Sequence, residues 1–232
     1  MDYKGNYMIK IRKGFTLSEV MLVLSVIGVI SALTIPGLIQ STQNRILVAQ
    51  LKKVYSVLSQ ALTAVTADND GDITSVFASD NSSTNVLNVF ANKMNVLKNC
   101  GGGTGCWTST PYKYLNGDQR ATDIHSIFSS GNYALAQLSD GASIALYSIK
   151  NSCTSNGGDG PLKNKVCGTL EVDVNGTKGP NQLGRDAFIF FIAQSGIYPY
   201  GAFFPALNNC TTGSNEGTSC ANKILTEGAM NY

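Results

Sequence analysis

The sequence predicts an α+β protein: a long N-terminal helix laid on an antiparallel sheet head closed by disulfide loops. Three observations carry this. An unbroken apolar run near the N-terminus passes into an amphipathic pattern of helical spacing. Later segments rich in β-branched and aromatic residues are separated by Gly, Asn, Asp and Ser turn signals. All six cysteines lie from residue 100 onward, in a region where Gly, Ser, Thr and Asn are abundant.

The helix comes first. Residues 10–39 read KIRKGFTLSEVMLVLSVIGVISALTIPGLI. Between Phe15 and Ile39 the only charge is Glu19. Those 25 residues span about 37 Å as a helix, against a hydrocarbon core of about 30 Å. Lys10, Arg12 and Lys13 precede the run, which keeps the N-terminus cytoplasmic and places the rest outside. An ordinary secretory signal has a shorter apolar region ending at small residues. A plain signal anchor accounts for length and charge but not for Glu19, because a carboxylate in an apolar helix costs about 2.5–3.5 kcal/mol on insertion scales.

Gly14-Phe15-Thr16-Leu17-Ser18-Glu19 resembles the prepilin cleavage and methylation motif, in which a short basic leader ends in Gly, Phe follows the cut and Glu stands fifth. The sequence is thus similar to the type IV pilin and type II secretion pseudopilin family over residues 10–65. The resemblance implies cleavage after Gly14 by a membrane-embedded prepilin peptidase and methylation of the new Phe15 amine. It also implies that Glu19 faces the N-terminal amine of a neighbouring subunit and sets the axial register. Gly28 and Pro36 match positions where the family's helix can extend in assembled filaments. A static kink is the alternative, since Pro removes a donor and clashes with the preceding turn.

Beyond Ile39, Ile46, Leu47, Leu51, Val54, Leu58, Leu62 and Val65 recur every three or four residues. One helix is expected from Phe15 to Val65, its outer half carrying an apolar stripe under a globular head. The organisation is then a leader at 1–14, a transmembrane or filament-core half at 15–39, an amphipathic half at 40–66 and an extracytoplasmic head at 67–232. Asp68-Asn69-Asp70-Gly71-Asp72 ends the helix. It fails as an EF-hand, because Gly71 is at the wrong offset and Ser79 stands where Glu is needed.

In the head, residues 85–98 fit a short amphipathic helix burying Val86, Val89, Phe90 and Leu97. Tyr133–Leu138 and Ala142–Ile149 flank Ser139-Asp140-Gly141 as a hairpin. Leu170–Val174 and Ala187–Ala193 add two further strands, giving about four. Thr218–Thr226 reads as a terminal helix. The aromatic cluster of Phe188, Phe190, Phe191, Tyr198, Tyr200, Phe203 and Phe204 reads as core packing, with a subunit contact or ligand surface as the alternative.

Six cysteines beyond an export segment read as disulfides. Cys100–Cys106, Cys153–Cys167 and Cys210–Cys220 are the first expectation among 15 connectivities. Zinc is the rival, although the short C-x2-C spacing is missing and His125 is the only histidine. In DVNGTKGPNQLGRD, Asp173, Asn175 and Asp186 offer hard oxygen ligands. A tight surface turn without metal is the favoured reading, and calcium stays open, as in major secretion pseudopilins. No other cofactor is indicated.

The net charge of +2 belongs to the leader. Residues 1–14 hold four of the 17 basic residues and one of the 15 acidic ones, so the rest carries 13 against 14, or −1. Nucleic-acid binding through a basic footprint is therefore not indicated. No G-x-S-x-G, H-E-x-x-H or G-K-[ST] loop occurs, so no enzyme is expected. The resemblance implies a structural subunit, a pseudopilin or minor pilin of a type II secretion or type IV pilus filament. Its partners would be other pilin-like subunits, prepilin peptidase and an inner-membrane assembly platform with its ATPase. It would sit in the bacterial inner membrane before entering a periplasmic or extracellular filament. The alternative is a tip adhesin or DNA-uptake pilin that binds a ligand through its head.

Overall fold

A computed structural model describes residues 14–120, 132–203, 210–211 and 217–232. The basic leader residues, His125 and Phe204 lie outside these. The chain divides into two compact units, residues 1–43 and 44–232.

Helix α1 (Leu17–Asp68) begins in the first unit and ends in the second. In the first unit its apolar side chains are exposed, among them Leu22, Leu33 and Leu38. Several hydroxyls there are satisfied within the helix. Ser25 Oγ donates to the Met21 carbonyl at 2.8 Å, Thr34 Oγ1 to Ile30 at 3.0 Å and Thr42 Oγ1 to Leu38 at 2.9 Å. Such back-bonding removes the need for water that a hydroxyl in hydrocarbon would otherwise have. This helix is long and apolar enough to cross a membrane. Gly28 and Pro36 both lie inside it, with helical backbone continuing on either side.

In the second unit, Leu47, Leu51, Val54, Leu58, Leu62 and Val65 of α1 are buried at the expected spacing, whereas Ile46, expected in the same stripe, is exposed. The helix stops where Gly71, at φ +85°, turns its N–H back to the Thr66 carbonyl at 2.9 Å. Next come α2 (Ser83–Ala91), capped by the Ser82 side chain, and a sheet of six strands. These are β1 (Val96–Gly101), β2 (Tyr133–Leu138), β3 (Ser143–Ser148), β4 (Val166–Asp173), β5 (Ala187–Ala193) and β6 (Gly196–Pro199). They form an antiparallel meander in chain order. Helix α3 (Cys220–Glu227) closes the chain, ending at Gly228 in the left-handed region.

Strand alternation gives the sheet two faces. Ala134, Leu146, Leu170 and Phe190 lie opposite one another in register, and join the same core as the buried stripe of α1. Leu135, Ala145 and Ala187 face the other way and pack with Trp107, Tyr112 and Leu183 from two long loops. A further cluster holds Leu162, Val166 and Phe191, with Tyr198, Tyr200 and Phe203 beside it. At the crowded centre, a Cβ on Gly168 would come within 2.3 Å of the Tyr147 carbonyl oxygen.

Three disulfides join Cys100–Cys106, Cys153–Cys167 and Cys210–Cys220. Three sequence expectations are corrected. The helix expected over 85–98 ends at Ala91, and its second half becomes β1, with Val89 and Leu97 exposed instead of buried. Pairing with β2 overrides the helical spacing there. The sheet therefore has six strands, the two edge strands being those the reading missed. Finally, the 173–186 loop is no surface turn at its ends, because Asp173 and Asp186 are fully buried.

Candidate functional site

The N-terminal turn of α1 is built as a capping box. Thr16 Oγ1 accepts the Glu19 N–H at 3.2 Å. In return one carboxylate oxygen of Glu19 accepts the Thr16 N–H at 2.8 Å and the Thr16 hydroxyl, also at 2.8 Å. Thr-Leu-Ser-Glu is the S/T-x-x-E spacing, so this partner of Glu19 was written in the sequence. Gly14 and Phe15 precede the helix as exposed, irregular chain, with Phe15 88% exposed. An accessible peptide bond next to the helix start is what a peptidase requires.

Residues 9–35 match the family model described as the prokaryotic N-terminal methylation motif. The N-terminal segment is similar to that of type IV pilin-like proteins. No curated protein and no solved structure matches the chain. The motif marks proteins processed by prepilin peptidase, and its family is structural, not enzymatic.

The head gathers a second constellation. Asp173 ends β4 and Asp186 precedes β5, so the hairpin between them brings the two carboxylates together. Asp173 accepts the Tyr112 hydroxyl and, at 3.1 Å, the Asn175 N–H. Asp186 accepts the N–H of Asn181 at 2.8 Å and of Gln182 at 2.6 Å, and Asn175 Nδ2 at 3.3 Å. Burial pushes the Asp173 carboxyl up to about 8, and the neighbouring Asp186 charge adds to it against the Tyr112 and backbone hydrogen bonds. Burial also raises Asp186, partly offset by its three donors. Tyr112 is raised as well, by burial first and then by the Asp173 charge.

The constellation is rich in acceptors. Asn175 Oδ1 and Asn181 Oδ1 are buried without a hydrogen-bond partner. Oxygen-only donors of this kind suit a hard cation such as calcium. Each carboxylate already takes protein donors, however, and among the described residues no group of three His, Cys, Asp or Glu forms a metal cluster. The sequence singled out Asp173, Asn175 and Asp186 but missed Asn181 in the same loop, and Tyr112, which reaches the site from a loop 61 residues earlier.

Proposed function

We propose that this chain is a structural subunit, a pseudopilin or minor pilin, clipped after Gly14 and packed into a filament by the apolar half of α1. The observation that supports it best is the exposed apolar helix with Glu19 as its single carboxylate, inside a prepilin motif. Once Gly14 is removed, the Phe15 amine of a neighbour supplies the positive partner that Glu19 needs in an apolar filament core. On this reading the leader stays cytoplasmic, the head is extracytoplasmic, and an assembly platform and its ATPase extract the subunit from the inner membrane. Gly28 and Pro36 are the positions where α1 extends on assembly. A co-expression assay tests this: Glu19→Ala is expected to be cleaved normally yet to be missing from filaments, and normal incorporation would refute the role of Glu19.

A second reading concerns the head. Calcium held by Asp173, Asn175 and Asp186 would draw on the orphaned amide oxygens of Asn175 and Asn181. Thermal melting in calcium and in EDTA tests it, and identical transitions would count against the ion.

A further inference from the structure

A cleft of about 570 Å³ opens beside the sheet edge at β6. Tyr55, Ser59, Thr63 and Thr66 of α1 form one wall, and the β5–β6 turn with Tyr198 forms the other. We propose that this cleft binds an uncharged saccharide. The volume is within the ~300–1,000 Å³ of small-ligand sites.

Charge decides the ligand class first. Among the described residues, no Lys, Arg, His, Asp or Glu lines the cleft. Phosphates, nucleic acid and charged side chains would find no partner there.

Hydrogen bonding decides next. Thr63 Oγ1 donates to the Ser59 carbonyl at 3.0 Å and Thr66 Oγ1 to Leu62 at 2.8 Å, which leaves their lone pairs to accept. Gln194 spends its Nε2 on the Cys153 carbonyl at 3.4 Å, leaving Oε1. Ser195 Oγ and the Tyr198 hydroxyl share one bond at 3.1 Å. A neutral lining with more acceptors than donors fits a ligand dense in O–H groups.

The two tyrosines supply what sugars need besides hydroxyl contacts, a flat apolar surface for their C–H faces. Both are held in place before any ligand arrives. Tyr55 stacks on Phe190 with centroids 5.7 Å apart, and its hydroxyl donates to the Ile197 carbonyl at 3.0 Å. Tyr198 meets Phe203 edge-on at 5.5 Å. Fixed rings lower the ordering cost of binding. The same Tyr55 bond argues against an added peptide strand: it occupies the Ile197 carbonyl, and Pro199 has no N–H to offer.

The site is separate from the assembly reading and does not depend on it. The test uses the full-length protein in lipid nanodiscs, because sugar-headed detergents would compete. Saturation-transfer NMR is run with cellobiose, maltose and diacetylchitobiose, and with a neutral Gly-Ser decapeptide as the rival. Saturable transfer to at least one disaccharide is expected, weakened at least tenfold by Ser59→Leu and by Thr63→Leu, each of which fills the cleft. Melting temperature checks that each variant folds, and if one does not, the other decides. The proposal is overturned if no disaccharide saturates by about 20 mM, a Kd of the millimolar class. Variants that bind as the parent does, or saturation by the decapeptide alone, would also overturn it.

Discussion

Thr16 and Glu19 satisfy one another: the threonine hydroxyl takes the Glu19 N–H, and the Glu19 carboxylate takes the threonine N–H and O–H. The one carboxylate in the apolar half of α1 thus has donors inside its own chain. A single subunit in a membrane does not carry it bare, which moderates the cost of an unpartnered charge there. On the proposed assembly, a neighbour's amine would replace these neutral donors. Thr16→Val keeps the branched shape and removes the hydroxyl. Loss of such a cap costs about 1 kcal/mol. Hydrogen exchange of the Glu19 amide in micelles is expected to quicken by roughly fivefold, following that energy.

Asp173 gives a pH prediction. Its folded value is raised to about 8, above the ordinary carboxylate range, so the folded head binds a proton that the unfolded chain releases. The stabilisation is full below about pH 4 and is lost as pH rises through about 8. In EDTA the melting temperature of the head transition is expected to fall between pH 5 and pH 9 through this group. Asp173→Asn, which holds a neutral side chain at every pH, should flatten that slope.

Tyr112→Phe isolates the hydroxyl. The ring keeps its contact with Trp107, 5.8 Å away between centroids, while Asp173 loses its donor. A buried acceptor left unsatisfied costs about 1–3 kcal/mol. Urea unfolding should show that loss without a change in slope.

Gly168→Ala tests the packing at β3–β4. The added Cβ meets backbone, the Tyr147 carbonyl oxygen at 2.3 Å, and backbone cannot rotate aside as a side chain can. A destabilisation of about 3 kcal/mol is expected in the same unfolding assay, the upper end of overpacking costs.

How far the fold could be read from the sequence depended on how local each signal was. The stripe from Leu47 to Val65 and the Ser139-Asp140-Gly141 hairpin depend on neighbours in sequence, and both appeared where expected. Strand β1 did not, because Val96–Gly101 carries helical spacing and becomes a strand only by pairing with β2, far along the chain. Glu19 was conspicuous as a lone charge, and its partner Thr16 stood three residues away in a recognised spacing. Tyr112 and Asn181 could not be found this way. One reaches Asp173 from a loop 61 residues earlier, and the other serves Asp186 through its backbone N–H, which no side-chain pattern announces. The saccharide cleft is equally silent, since Ser59, Thr63 and Thr66 read as an ordinary solvated helix face until β6 stands opposite.

The most direct test is the mass of the N-terminal peptide of the protein purified from membranes that contain prepilin peptidase. The mature chain is expected to start at Phe15 and to carry one added methyl group on its amine. A chain that keeps its leader, or that starts at any residue other than Phe15, would contradict it.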